Sequence, residues 1–327
     1  MTEVLERSRA AALHDLARRA DWIRLRTIDL IDRAGLGHYS STFSCAEIMA
    51  VLYYRTLRLR PSEPAWPDRD RFLLGKGHVA VGLWPVLADL GYFPTEWLER
   101  FGRLGSPLND HPNMRTAPGI DFSSGSLGHN LSVGVGMSLA ARLQGRDFRT
   151  FVLTGDGELQ EGQVWEAAMA AGHYRLGSLV AIVDANGFSG GGPTSRAMNI
   201  EPVAARFEAF GWQAAEVDGH DVAALVDVLD ELPPPESETP TCIVARTRKG
   251  RGLAMMEAAP QSWHLGLLSP EQRDAARREI EDRLTTPPSL PEAEDRPPTP
   301  PSPLAGEGRA PTPPSPPGGG GSGWGGP

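Results

Sequence analysis

Asp156 and Asn186 stand thirty positions apart (186 − 156), each in a turn that follows a short apolar run. Asp156 lies in Gly155-Asp156-Gly157 after Thr150 to Thr154 (TFVLT), and Asn186 in Asp184-Ala185-Asn186-Gly187 after Ser178 to Val183 (SLVAIV). A strand, a crossover helix and a second parallel strand together take roughly thirty residues, so this spacing delivers both side chains to neighbouring strand ends. One carboxylate, one amide oxygen and a backbone carbonyl make a hard oxygen set that suits Mg²⁺ held jointly with the phosphates of a ligand. Gly157, read as opening the next helix, can bring its N–H to a phosphate at the positive helix end. A Gly-Asp-Gly turn alone is commonplace; its pairing with Asn186 gives it weight.

Four of the eight histidines sit beside glycine or in turns: Gly37-His38, Gly77-His78, Asp110-His111-Pro112 and Trp263-His264. Taken singly, each would serve equally well as a capping or surface residue. Imidazole donates or accepts a hydrogen bond near neutral pH, so a converging set would suit a substrate rich in hydroxyls.

The elements that must position these residues read as alternating strands and helices. An amphipathic helix covers the first thirty residues, and a second helix is expected from Ser44 to Tyr54. A polar loop from Arg60 to Asp70 leads to a strand at Arg71 to Leu74, the turn Gly75-Lys76-Gly77-His78, and a helix to Leu90. After Gly157 a helix runs from Gly162 to Tyr174; further strands fall at Gln213 to Val217 and Thr241 to Ala245, with a helix from Val222 to Leu232 between them. Short apolar strands separated by helices predict an α/β fold with a parallel sheet covered by helices on both faces. In such a sheet ligands bind at the carboxyl ends of the strands, which puts His78, Asp156 and Asn186 on one rim.

Composition narrows the function classes. The net charge of −9 and pI near 5.4 argue against a nucleic-acid or anionic-membrane partner, since counterion release needs a basic face. Neither a signal-peptide apolar segment nor a membrane-length apolar run is evident, so a cytoplasmic location is expected. Cys45 and Cys242 lie in apolar segments with no metal-ligand spacing and read as buried free thiols. From 285 to 327 the chain is Pro, Ser, Thr, Gly and acidic residues, with Pro-Thr-Pro-Pro-Ser-Pro at 298 to 303 and again at 311 to 316. That composition predicts a disordered tail after one domain at 1 to 284.

The stretch Gly155 to Asp221, GDGELQEGQVWEAAM through Asn186-Gly187 to FEAFGWQAAEVDGHD, resembles the transketolase family, and specifically its thiamine-diphosphate-binding half. The likeness covers most of residues 15 to 270. It implies that Asp156, Asn186 and the carbonyl of Phe188 coordinate Mg²⁺, with Ca²⁺ or Mn²⁺ as substitutes, and that Gly155, Asp156, Gly157 and Asn186 hold thiamine diphosphate. By the same resemblance His78 and His264 face the cofactor and the reacting carbon, His111 the donor hydroxyls, and His38 the acceptor aldehyde. Gly125-Ser126-Leu127-Gly128 resembles the segment that packs on the cofactor, with Gly125 near the aminopyrimidine and Leu127 near the diphosphate end, a place that a plain core leucine also fits. Glu161 and Glu166 match carboxylates of the family's dimer interface; a solvated helix face is the other reading.

This sequence departs from the family pattern in four places. Tyr39 follows the first histidine where proline is usual, Asp110 precedes the third where glycine is usual, and His129-Asn130 replace Gln-Gly. Tyr39 and Asp110 are expected to narrow or recharge the sugar channel. The glycine-rich loop Ser189 to Thr194 (SGGGPT) is expected to be mobile. The glutamate that contacts the aminopyrimidine ring belongs, by resemblance, to a second, pyrimidine-binding domain. The implied enzyme is therefore a two-chain transferase moving a two-carbon ketol unit from a sugar or sugar phosphate, with two copies of this chain and two of a C-terminal transketolase subunit. Half of another thiamine enzyme, such as a deoxyxylulose phosphate synthase, and a non-catalytic cofactor-binding partner are the alternatives.

Overall fold

The computed structural model describes residues 2–285. The elements run in order α1 (Thr2–Ala34), α2 (Tyr39–Ser44), α3 (Ala46–Val51), β1 (Arg71–Leu74), α4 (Ala80–Asp89), α5 (Asn130–Leu143), β2 (Thr150–Gly155), α6 (Gly162–His173) and β3 (Leu179–Ala185). There follow β4 (Phe188–Ser189), β5 (Gly192–Pro193), α7 (Thr194–Ala197), α8 (Val203–Ala209), β6 (Gln213–Asp218), α9 (Val222–Asp230), β7 (Thr241–Arg246), α10 (Ala254–Ala258) and α11 (Pro270–Thr285).

Five strands form one sheet in the order β1-β2-β3-β7-β6, every neighbouring pair parallel. Successive side chains of a strand point to opposite faces, and the buried residues divide accordingly. Phe72, Leu74, Phe151, Leu153, Val180, Ile182 and Ile243 join the core under α1, α3, α4 and α9. Leu73, Val152, Leu179, Ala181, Val183, Cys242 and Val244 join a second core under α5, α6 and α8. Strands apolar on both faces need helices on both faces, and the crossover helices supply them. This is the α/β arrangement that the sequence predicts. Both cysteines are free and buried, and no helix of the described residues is long and apolar enough to cross a membrane.

Register sets up the functional rim. Gly155 of β2 pairs with Asp184 of β3, which pairs with Ala245 of β7, so the loops that carry Asp156, Asn186 and Lys249 leave the sheet side by side.

The structure corrects three expectations. The helix expected from Ser44 to Tyr54 is broken at Cys45 (φ −110°), where α2 ends and α3 begins, and it closes in a wider turn at Leu52–Thr56. The break leaves Ser44 Oγ free to donate to Asp184 Oδ2 at 2.6 Å rather than face along a continuous helix. Gly157 opens a single tight turn, Gly157–Gln160, and α6 starts only at Gly162, so no long helix dipole points from Gly157. Thr285 closes α11, whose Arg273 and Arg283 pair with Asp32 and Asp21 of α1 at 3.0 Å each; the rest of the expected tail, 286–327, lies outside the described residues.

Candidate cofactor and active site

One cavity of about 280 Å³ opens at the carboxyl ends of β1, β2, β3 and β7. His38, His78, His111, Gly125, Leu127, Gly155, Asp156, Gly157, Asn186, Phe188 and His264 all line it, so the structure brings every sequence-predicted site residue to one place. Ser41, Lys76, Glu158, Ser189, Gly190 and Lys249 line it too.

The oxygen set is compact. Asp156 is buried, its Oδ1 accepting Gly157 N–H at 2.8 Å and its Oδ2 accepting Gly187 N–H at 2.5 Å. Asn186 donates to Asp184 Oδ2 at 3.1 Å while its Oδ1 accepts Phe188 N–H at 3.1 Å. Gly157 is needed for its small size: a Cβ there would stand 2.9 Å from Ser189 Cβ and 3.6 Å from the Phe188 carbonyl oxygen. β4 and β5 pair as a short antiparallel ribbon through Phe188–Pro193 and Ser189–Gly192, which fixes that carbonyl beside the Asp156 turn. Burial, reinforced by Asp184, pushes the Asp156 carboxyl up to about 7 against the help of the two N–H groups. A buried carboxylate short of positive charge is what a divalent cation would relieve, so the residues present fit Mg²⁺. Among the described residues no three His, Cys, Asp or Glu side chains gather as a metal site; the donors here are one carboxylate, one amide and one carbonyl.

Two lysines add positive charge to the cavity wall. Lys76 is buried and forms an ion pair with Asp184, also donating to the Ser41 carbonyl at 3.1 Å. Burial opposes the charge of Asp184, but the Lys76 ammonium and the Ser44 and Thr247 hydroxyls hold its carboxyl below the usual range. Lys249 is buried, and none of the described carboxylates pairs with it. Burial and the neighbouring Lys76 lower its pKa to about 8. A buried ammonium that lines the cavity and pairs with none of the described carboxylates fits a polyanion such as a diphosphate.

The histidines form a ring around this charge. His38 sits 4.9 Å from His78, 5.3 Å from His264 and 6.4 Å from His111, centroid to centroid, and each pair meets edge to face. Burial, with Lys76, His38, His264 and Lys249 around it, drives the His78 imidazole well below its usual range. Burial and Lys249 bring His264 down to about 4. Both rings are therefore neutral at neutral pH and act as hydrogen-bonding groups rather than fixed charges.

Ties between loops explain why these groups converge. Gly77 allows its loop to press on the Gly125 segment, since a Cβ there would meet Gly125 N and Ser124 Cβ at 2.9 Å. Glu158 accepts Gly128 N–H at 2.9 Å and Gly155 N–H at 3.1 Å, locking the Gly125–Gly128 segment to the Asp156 turn; burial raises its carboxyl to about 7. Gly250 N–H donates to the Ser40 carbonyl at 2.9 Å, and His264 Nδ1 lies 3.2 Å from Ser41 Oγ. Arg24 binds Glu47 at 2.6 Å, Glu47 meets His220 Nδ1 at 3.2 Å, and His220 Nε2 accepts Arg248 N–H at 2.8 Å, which holds the backbone next to Lys249.

Residues 16–280 match the transketolase thiamine diphosphate binding domain. The chain belongs to the transketolase family. It is 36% identical over 261 residues to a protein of Phocaeicola vulgatus named as a subunit of apulose-4-phosphate transketolase, covering 80% of this chain and 92% of that one. It is 38% identical over 267 residues to a Clostridium protein named 6-deoxy-6-sulfo-D-fructose transketolase subunit SqwG, covering 82% and 96%. Among solved structures it is similar to the transketolase of Campylobacter jejuni, with a TM-score of 0.76 and 30% identity over 81% of this chain and 42% of that one. The chain thus spans less than half of the solved transketolases that it matches, and nearly all of the relatives named as subunits.

Set against the transketolase pattern, the four departures fall in different places. Tyr39 does not line the cavity: it is buried, packs edge-on against Phe43 at 6.3 Å and hydrogen-bonds the backbone of Leu268. Asp110 stands between His38 and His111, its carboxylate 3.5 Å from one Nδ1 and 3.4 Å from the other. His129 is exposed and meets the Leu127 carbonyl at 3.0 Å, while Asn130 is buried and donates to the Leu74 carbonyl at 3.4 Å. Glu161 and Glu166 are exposed, Glu161 lying against Gly128.

Proposed function

We propose that this chain is the diphosphate-binding subunit of a two-chain transketolase. The observation that carries the reading is the convergence on one cavity of the Asp156, Asn186 and Phe188 oxygens, four histidines, and Lys249, which pairs with none of the described carboxylates. Asp156, Asn186 and the Phe188 carbonyl would hold Mg²⁺; Lys249 and the Gly155–Gly157 turn would receive the diphosphate with it. Bound thiamine diphosphate supplies the electron sink that the breaking carbon–carbon bond of a ketose requires. The neutral His78 and His264 accept and donate hydrogen bonds at the reacting carbon without adding charge to it, which keeps water-like polarity in a water-poor site. His111 orients the donor hydroxyls and His38 the acceptor aldehyde. Gly125 and Leu127 pack against the cofactor.

The carboxylate for the aminopyrimidine ring comes from a separate pyrimidine-domain subunit, and the assembly contains two copies of each chain with active sites between them. Full-length likeness to proteins named as transketolase subunits supports this division. Both of those names specify a sugar bearing an acidic group, and a polyhydroxylated ketose of that class is the substrate proposed here. In the assembled enzyme, Asp156→Ala removes the one charged ligand among the three protein donors, so Mg²⁺-dependent cofactor affinity should fall about a hundredfold or more. Calorimetry checks this, and unchanged Mg²⁺-dependent binding would refute the assignment.

A further inference from the structure

Asp110, which stands where transketolases usually carry glycine, divides its carboxylate between two of the four rings. Its Oδ1 lies 3.5 Å from His38 Nδ1 and its Oδ2 lies 3.4 Å from His111 Nδ1. These separations slightly exceed a hydrogen bond, yet His38 Nδ1 and Asp110 Oδ1 are both buried and neither has a hydrogen-bond partner among the described residues. An ionised carboxylate only accepts. It can satisfy Nδ1 only when Nδ1 carries the proton; the alternative tautomer would turn a bare nitrogen lone pair on the carboxylate, in a buried place at His38 and in a more exposed one at His111.

The other edge of each ring then faces the cavity. His38 lines the cavity while its Nδ1 is inaccessible, so the edge on view is the one with Nε2. For His111, a Cβ added to the cavity-lining Gly125 would come within 3.6 Å of Cδ2, the carbon bonded to Nε2. His264 offers a contrast: its Nδ1 meets the Ser41 hydroxyl, which can donate or accept, so that contact leaves the tautomer open.

We propose that Asp110 is a specificity-determining residue: by holding His38 and His111 as Nδ1–H tautomers it lines the sugar side of the cavity with Nε2 acceptors. Hydroxyl groups beside the reacting carbonyl donate to these nitrogens. An anionic group in the same place meets two lone pairs and, behind them, a carboxylate. The inference rests on the ketol-transfer reading and names its substrate class: ketoses with hydroxyls next to the carbonyl are preferred to 2-oxo acids. In both cases the bond from the carbonyl carbon to the departing fragment breaks and its electron pair stays on the carbonyl carbon. A ketose releases an aldehyde, its hydroxyl giving up a proton; 3-hydroxypyruvate releases carbon dioxide. The pair then forms the new bond to the acceptor's aldehyde carbon, whose oxygen takes the proton, drawn from solvent in the oxo-acid case.

The test has two readouts. Imidazole ¹⁵N shifts of the isolated full chain, assigned with His38→Gln and His111→Gln, should show protonated Nδ1 and bare Nε2 at both residues, and Asp110→Asn should release both. In the enzyme assembled with partner, cofactor and Mg²⁺, Asp110→Asn and Asp110→Gly should lower the kcat/KM ratio of ketose to 3-hydroxypyruvate about tenfold, the scale of one hydrogen bond. Wild-type rings that are not fixed at Nδ1–H, or an unchanged ratio in both variants, would overturn the role given to Asp110. A wild-type assembly with no ketol transfer would contradict the proposed function instead, and the ¹⁵N shifts would still decide the tautomers.

Discussion

The Lys76 ammonium, in the wall of the cavity, is bound to the Asp184 carboxylate, with both side chains almost wholly inaccessible to water. Ser44, Asn186 and Thr247 complete the shell of Asp184, so a strand-end carboxylate organises loops from α2, β3 and β7. Removing one partner of such a pair leaves a buried uncompensated charge, at a cost of about 3–5 kcal/mol. Lys76→Met should therefore lower the chain's stability by that order in urea titration. The sign with pH also follows. In the wild type the depressed Asp184 pKa gives stability that is present above the ordinary carboxylate range and fades as pH falls through the folded pKa. Without Lys76, burial alone raises that pKa, so Lys76→Met should instead lose stability as pH rises. Equal stability of the two proteins at neutral pH would contradict the pair's role.

The sheet and the rim were legible in the sequence because both follow from local rules: apolar strands read by pattern, and turns at strand ends read by glycine. His78, Asp156 and Asn186 meet on that basis alone. Lys249 obeys the same rule, in Lys249-Gly250-Arg251-Gly252 after β7, and that glycine-flanked lysine was the signal available for it. Glu158, Asp184 and the Arg24–Glu47–His220 chain were not legible, because their function lies in hydrogen bonds to backbone distant in sequence. The break at Cys45 was hidden for a similar reason: helical propensity runs through it, and the tertiary bond from Ser44 to Asp184 overrides that propensity. Tyr39 misled because a residue type next to a site histidine says nothing of which way its ring turns.

Lys249 predicts a pH limit on cofactor binding. Its folded pKa of about 8 lies below the ordinary lysine value of about 10.4, so above that pH the free cavity loses the charge that attracts the diphosphate. With the partner present, calorimetry should show cofactor affinity falling above pH about 8. Lys249→Arg should not show this fall, because guanidinium stays charged. The same depressed pKa means that stability of the cofactor-free chain gains from deprotonation of Lys249 as pH rises from about 8 toward the unfolded value. A wild type and Lys249→Arg with the same pH profile would rule out this part of the site.

Gly157 predicts a local steric effect. A Cβ there meets Ser189 Cβ at 2.9 Å and Ser189 Cα at 3.0 Å, whereas nothing lies within 4 Å of one at Gly162. Overpacking costs about 1–3 kcal/mol, and at Gly157 it falls on the ribbon that carries the Phe188 carbonyl. Gly157→Ala should weaken Mg²⁺-dependent cofactor binding about tenfold or more, with Gly162→Ala as the unaffected control. Equal affinities in the two variants would show that the ribbon yields without moving the metal donors.

The central claim is that this chain holds the diphosphate end of the cofactor and depends on another polypeptide for the pyrimidine end. Partner and cofactor should accordingly raise each other's apparent affinity, as linkage requires. The most direct measurement is a coupled assay with xylulose 5-phosphate and ribose 5-phosphate, or the ketose donor that screening identifies, on the purified chain supplied with thiamine diphosphate and Mg²⁺. The expected result is no turnover from the chain alone, turnover once the pyrimidine-domain subunit is added, and loss of that turnover in His78→Ala. Robust turnover by the chain alone, with full-length transketolase excluded by mass spectrometry, would contradict the account.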